Sequence, residues 1–342
     1  STASRSPTST SGARATDLTL TVCGPRRVRN RRPFASLKKV APMQLLMLRS
    51  MWPAPDDPQD MVEQVVSAGD TFDGVEGPIP AAADERRLLK SLLEDHGLCF
   101  VAEATTGLDE NATDDWWVPR PDKTIDDHLA DLRFTVEHAA EMGAHFVTTM
   151  CGYDAWSWDT NVAFFEGVMQ LQRETGVTIA VESHRCRSTY NPWTMRDLLR
   201  HFPEMRMTCD YSHWVAVCER LLESERDVLE LCASRAEHIH CRVGEPQRAQ
   251  VTDPRAPEFE RTVRLHESWW DMIWDAHAAS GRQFTTMTCE WGHQGYTPLL
   301  PYTGQPIVDL WEITCWFARR QRARFTERFG VAKAGAAADP RV

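Results

Sequence analysis

The sequence predicts an α/β protein, a (β/α)8 barrel of the TIM type, and three observations carry that prediction. From Met43 onward, eight short β-rich runs alternate with longer segments of helical period. Several helical segments close on a glycine where a helix C-terminus takes a left-handed residue: Gly97, Gly143, Gly176 and Gly281. The 342 residues also leave room for such a barrel, which uses about 250 or more as one unit. An open doubly wound sheet is the alternative for alternating elements, but no G-x-G-x-x-G follows the first strand.

In chain order the predicted strands are QLLMLRS (44–50), FDGVEG (72–77), LCFVAEA (98–104), HFVTTM (145–150), VTIAVES (177–183), RMTCD (206–210), EHIHCRV (237–243) and FTTMTCE (284–290). Helix candidates between them include DPQDMVEQVVSAGD, DERRLLKSLLEDHG, TIDDHLADLRFTVEHAAEMG and NVAFFEGVMQLQRETG, and the last is PIVDLWEITCWFARRQRARF. Residues 104–122 and 243–262 read as strand-to-helix loops, which surround the active site of a barrel. The expected organisation is an extension over 1–42, one barrel over 43–327 and a tail over 328–342.

With 42% hydrophobic and 25% charged residues, 18 Gly and 20 Pro, the composition excludes collagen-like and wholly disordered classes. No window approaches 18 uninterrupted apolar residues, so no membrane-spanning helix is expected. The net charge of -11 is unevenly spread. Residues 1–42 carry nine basic side chains and one acid, net +8, which leaves the remainder with 29 basic and 48 acidic residues, net -19. The Ser-, Thr- and Arg-rich extension matches an organelle transit peptide in composition; the competing readings are a disordered basic extension or an untranslated stretch annexed by a wrong start. The acidic remainder repels phosphate backbones and favours small-molecule partners over nucleic acid. The ten cysteines are scattered without C-x-x-C pairs, which points to an intracellular, reducing compartment, cytoplasmic or organellar.

A carboxylate or imidazole at the C-terminal end of a barrel strand reads as catalytic. Strand five ends in Glu182, strand six in Asp210, strand seven carries His240 and strand eight ends in Glu290. These lie 28, 30 and 50 residues apart, about one strand-helix unit each, so four successive strands can aim at one point. Two Glu, one Asp and one His form an oxygen-dominated set suited to Mn2+, Mg2+ or Co2+, with Zn2+ the softer alternative. Cys209, Cys241 and Cys289 each flank one of these residues, so strand alternation turns them outward and a thiolate zinc site is not expected. His184, His213 and Arg242 lie within three residues of the set and are candidates for substrate binding or for extending the metal cluster. His238 shares the face of His240 but lies deeper; Glu76 and Glu103 are read as support or ion-pairing residues. Trp116, Trp117, Trp156 and Trp158 are candidates for an apolar wall over a sugar ring, with plain loop packing as the alternative.

Residues 43–327 resemble the xylose isomerase-like TIM barrel superfamily, the sugar phosphate isomerase/epimerase group. FDGVEG, VESHR, CDYSHW, HIHCRVG and CEWGH carry the resemblance. It implies one divalent metal on Glu182, Asp210, His240 and Glu290, and contact of His213 with the substrate and metal region. In the ketose 3-epimerase branch the two metal-bound glutamates also move the proton, which implies Glu182 and Glu290 as the acid/base pair, with the metal stabilising an enediolate. The segment SHRCRSTYNPW after Glu182 departs from the epimerase and hydroxypyruvate isomerase patterns. The expected function is therefore a metal-dependent isomerase or epimerase of a small sugar or related hydroxy-carbonyl compound. The alternatives are a lyase or dehydratase on the same barrel, an AP-endonuclease-type repair enzyme whose multi-zinc cluster would use His184, His213 and His293, and a sugar-binding barrel without catalysis. Barrels of this kind often associate, so a homo-oligomer is among the expected states.

Overall fold

Eight strands, β1 (Gln44–Ser50), β2 (Gly74–Pro78), β3 (Cys99–Thr105), β4 (Val147–Met150), β5 (Ile179–Glu182), β6 (Arg206–Cys209), β7 (Ala236–His240) and β8 (Phe284–Cys289), close into one barrel in sequence order. All neighbouring pairs are parallel, and β1 pairs with β8 to complete the ring. The chain is thus a (β/α)8 TIM barrel. The computed structural model describes residues 43–330 except 53, 54, 56, 109–116 and 294. The basic extension 1–42, the segment from 331, Trp116 and part of the 104–122 loop lie outside the described residues.

Nine α-helices among the described residues surround the barrel: α1 (Pro58–Ser67), α2 (Ala83–Asp95), α3 (Ile125–Met142), α4 (Trp158–Thr175), α5 (Pro192–His201), α6 (Tyr211–Val217), α7 (Arg226–Arg235), α8 (Glu260–Ala279) and α9 (Leu310–Phe329). Local chemistry sets their ends. Thr124 and Asp127 form a capping box at the start of α3, and Gly143 and Gly176 end α3 and α4 at φ 72° and 71°. Helix α9 begins four residues later than the sequence run because the Asp309 side chain accepts from the Glu312 amide at 3.0 Å. None of the described helices is long and apolar enough to cross a membrane.

The side-chain alternation of the strands sorts the chain into two cores. Leu48, Val101, Phe146 and Ala180 plug the barrel interior. Outward-facing Met47, Val75, Val181, Met207, Ile239 and Met287 join the layer beneath the helices. Cys209, Cys241 and Cys289 lie buried in that outer layer, one residue from each inward-facing polar group.

Candidate metal centre

Glu182 ends β5, Asp210 and Glu290 immediately follow β6 and β8, and His240 ends β7. One carboxylate oxygen or ring nitrogen from each lies within 4.8 Å of the others. His240 Nδ1 stands 3.4 Å from Glu182 Oε1 and 3.1 Å from Glu290 Oε2. The ends of β5 and β6 are tied together at this point. Asp210 N donates to Ser183 Oγ at 2.8 Å, and Ser183 Oγ donates to the Asp210 carbonyl at 2.9 Å. Asp210 also caps α6, accepting from the Ser212 amide at 2.9 Å.

The other side of His240 is fixed from across the barrel. Its Nε2 donates to Glu76 Oε1 at 2.7 Å, and His238 Nε2 donates to Glu76 Oε2 at 2.9 Å. Thr288 Oγ1 also donates to Glu76 Oε2. With its proton committed to Glu76, a neutral His240 turns a bare Nδ1 lone pair toward the other carboxylates. Such a lone pair facing carboxylate oxygens repels them unless a cation stands between.

Buried atoms without hydrogen-bond partners bear on the same point: Glu182 Oε2, Glu290 Oε2 and His240 Nδ1 have none. Three carboxylates bring three negative charges, and Arg242 returns one through contacts to Asp210 Oδ2 at 2.5 Å and Glu290 Oε1 at 3.3 Å. With the His240 imidazole neutral, the remaining two match a divalent cation. Buried, unpaired carboxylates are costly, and hard oxygen donors with one imidazole suit Mg2+, Mn2+ or Co2+. The donor set fits a divalent ion.

The protonation balance follows from the crowding. Burial pushes the Glu182 carboxyl up to about 7, against the pull of His240. Burial also raises Asp210, opposed by Arg242. At Glu290 burial acts upward too, but Arg242 and His240 outweigh it and hold the group below its usual range. Burial lowers His240, yet Glu76, Glu182 and Glu290 override it and keep the imidazole well above its ordinary value. A cation bound here displaces that proton. Glu103 on β3 is raised well above its usual range by burial and by Glu76, Glu290 and Glu182.

The remaining candidates fall into different places. His184 and His213 are buried beside Glu182, their ring centroids 3.8 Å apart. Arg242 is fully buried, donates to Ser212 Oγ at 3.0 Å and lies 4.5 Å over the Tyr296 ring. His293 is in none of the three metal-competent groups found among the described residues; it lines a separate cavity with Arg49, Trp291 and Trp311. Trp156 packs against His128 and Phe164, and Trp158, 43% exposed, stands against His201 at the start of α4. The Trp117 carbonyl accepts from Arg187.

Sequence reasoning did not single out Ser183, Ser212, Arg187 or Tyr296. Arg187 is buried and also donates to the Thr106 carbonyl at 2.6 Å, tying the β5 loop to the β3 loop. Its neighbour Cys186 holds a left-handed φ of 57°, which local sequence does not announce. Tyr296 lies between Arg185 and Arg242, each 4.5 Å from its ring; an aromatic residue shortly after C-E-W-G-H was the available signal.

A family model described as "Xylose isomerase-like TIM barrel" matches residues 62–267. Among solved structures, the chain is similar to a xylose isomerase-like TIM barrel protein from Mycobacterium smegmatis in complex with magnesium. The identity is 13%, 85% of this chain and 98% of that chain are covered, and the TM-score is 0.52. A sugar phosphate isomerase/epimerase from Parabacteroides distasonis is similar at 11% identity, with 82% and 99% covered and a TM-score of 0.53. Mannonate dehydratase from Streptococcus suis is similar at 11% identity, with 87% and 99% covered and a TM-score of 0.52. At these identities the likeness is one of fold. No curated protein matches the sequence.

Proposed function

The chain belongs to the xylose isomerase-like TIM barrel family, and from that premise we propose that it is a divalent-metal-dependent isomerase or epimerase of a small sugar or related hydroxy-carbonyl compound. The observation that carries the reading is the convergence of Glu182, Asp210, His240 and Glu290, with buried oxygens and a ring nitrogen left without partners at one point. These four residues would hold the ion. Bound there, it would polarise a substrate carbonyl and offset the negative charge that develops as the neighbouring C–H proton leaves.

Glu182 and Glu290 take the acid/base roles. They approach His240 Nδ1 from the ends of two different strands, at 3.4 and 3.1 Å, and in this reading a substrate carbon sits between the two carboxylates. One glutamate removes the proton beside the carbonyl and the other returns it, on the opposite face for an epimerase. Arg242, a candidate substrate contact, touches Asp210, Glu290, Ser212 and His213, and in this reading it also orients the two carboxylates. His184 and His213 remain the candidate substrate contacts.

The test is solvent exchange. Metal-loaded protein is incubated in deuterated water with ketoses, aldoses and keto-acids, and deuterium at the carbon beside the carbonyl is followed by NMR. Incorporation that vanishes in Glu290→Gln supports the reading. Full activity in both Glu182→Gln and Glu290→Gln removes the acid/base assignment. An unsaturated product instead of exchange assigns the same residues to a lyase.

A further inference from the structure

A cavity of about 750 Å3 lies outside the barrel wall, lined by Arg49 of β1, Trp291 just after β8, Gln64 of α1 and the first turn of α9. Its size falls in the range of small-molecule pockets, about 300–1,000 Å3. None of Glu182, Asp210, His240 and Glu290 lines it. Strand alternation explains the separation. Leu48 fills the barrel interior and Met47 the outer layer, so Arg49 turns outward. Arg49 pairs in register with Cys289, itself in the outer layer. Trp291, two residues further on, packs its ring against Phe317 of α9 with centroids 5.5 Å apart.

Arg49 is 6% exposed. Burial pushes its guanidinium down to about 10, so it still carries its charge at neutral pH. Its place is fixed: it donates to the Ser50 carbonyl and lies 5.3 Å over the Trp311 ring, on which Phe72 stacks at 5.7 Å. A cation this deep in the wall of an open cavity is stabilised by an anion that enters it. Two other lining residues carry a buried polar atom without a partner, Trp291 Nε1 and Gln64 Oε1. The rest of the wall includes the apolar side chains of Ile307, Val308 and Leu310. Asp309, exposed beside them, accepts from the Glu312 amide at the start of α9. A phosphate dianion would gain nothing from the apolar residues and would meet the Asp309 carboxylate. One carboxylate on an apolar body suits both parts of the wall.

We propose that this cavity is a binding site for a small organic carboxylate with an apolar or aromatic body, separate from the metal centre. The carboxylate meets the Arg49 guanidinium, whose planar fork of N–H donors matches two oxygens in one plane. The body rests against Trp311, Ile307 and Leu310 and gains from leaving water. A neutral amide of the same shape loses the charged contact, and acetate lacks the body. The site is independent of the proposed reaction, because no residue given a part in that reaction lines it.

The experiment uses the full chain loaded with Mg2+ and phenylacetate as the probe. Binding is followed by calorimetry and by the indole N–H resonances of Trp291 and Trp311, assigned with Trp291→Phe and Trp311→Phe. Saturable binding that shifts both indoles is expected, with phenylacetamide and acetate each weaker by about tenfold or more. No binding of phenylacetate, equal binding of phenylacetamide, or tighter binding of inorganic phosphate overturns the proposal. Arg49→Gln should lower phenylacetate affinity by about tenfold or more. Ile307 is 38% exposed, so Ile307→Glu tests the same cavity without disturbing the buried wall. It sets a carboxylate against the body of the probe and should also weaken binding about tenfold, with the melting temperature held; unchanged affinity overturns the proposal. Carboxylates also coordinate metal ions, and the Glu182→Gln, Glu290→Gln double variant separates the two sites. Phenylacetate affinity there should stay within about twofold of wild type, and its loss assigns the probe to the metal centre and overturns the proposal.

Discussion

Glu76 and Glu182 are the same residue type, both about 1% exposed, both facing into the barrel, and the structure treats them oppositely. Glu76, on β2, has both oxygens filled: His240 donates to one, and His238 and Thr288 to the other. Against burial, the charge of the His240 and His238 rings and then their hydrogen bonds hold its carboxyl below the usual range. Glu182, on β5, keeps Oε2 without a partner, and burial pushes it up to about 7. Glu290, in the same cluster as Glu182, likewise keeps an unpartnered oxygen. The comparison teaches that burial alone does not mark a functional carboxylate. What separates the two is whether the fold has supplied hydrogen bonds or left room for something the chain lacks.

Removing an unfilled carboxylate should cost function and spare the fold, and this is the largest expected effect. Glu290→Gln is expected to lower the deuterium exchange rate by about 10²–10⁴-fold while the circular dichroism spectrum and melting temperature stay close to wild type. A comparable loss from Glu76→Gln with metal fully bound would erase the distinction between the two kinds of glutamate. Arg242 tests the balance of charge around the unfilled oxygens. Arg242→Met leaves Asp210 buried without its cationic partner, and urea unfolding of the metal-free protein should show a loss of about 3–5 kcal/mol. Added Mg2+ should recover part of that loss, because a cation then faces the same carboxylates.

Breaking the filled carboxylate should act through the metal instead. Glu76→Gln leaves one acceptor oxygen where His240, His238 and Thr288 use two and removes the charge facing His240, and manganese affinity, read by EPR titration, is expected to fall about 10–100-fold. The smallest effect comes from histidines that are filled on both nitrogens. His266 and His277 are bonded at Nδ1 and Nε2, and burial pushes both down to about 4. Each stays neutral in the fold while the unfolded chain protonates near 6.5. Their stabilisation is complete above about pH 6.5 and is lost as pH falls toward 4, by about 2 kcal/mol each at pH 5. The decline of the urea midpoint between pH 7 and 5 should be shallower in His266→Gln than in wild type.

The fold was legible because strand and helix periodicity is local. β1 coincides with the apolar run 44–50, and the four strand ends bearing Glu182, Asp210, His240 and Glu290 follow from runs of four to six residues. That these side chains converge follows from barrel closure, which the repeated rhythm implied. The bonds that give them their character were not legible in the same way. Glu76 and His240 are 164 positions apart, and no local pattern announces that one orients the other. His184 meets a neighbouring carbonyl and His213 a guanidinium 29 positions away. Arg187 reaches its carbonyl partners from a loop whose turn runs through a left-handed cysteine, a conformation that residue type does not predict.

The central claim, that the unfilled carboxylates of β5–β8 hold one divalent ion, is tested most directly by titrating the purified, metal-stripped chain with Mn2+ and counting bound ions by EPR. The account predicts one ion per chain, displaced by Mg2+ or Co2+ and lost in a Glu182→Gln, Glu290→Gln double variant that still folds. No bound ion in the wild type, or the same ion bound just as tightly in the double variant, would contradict it.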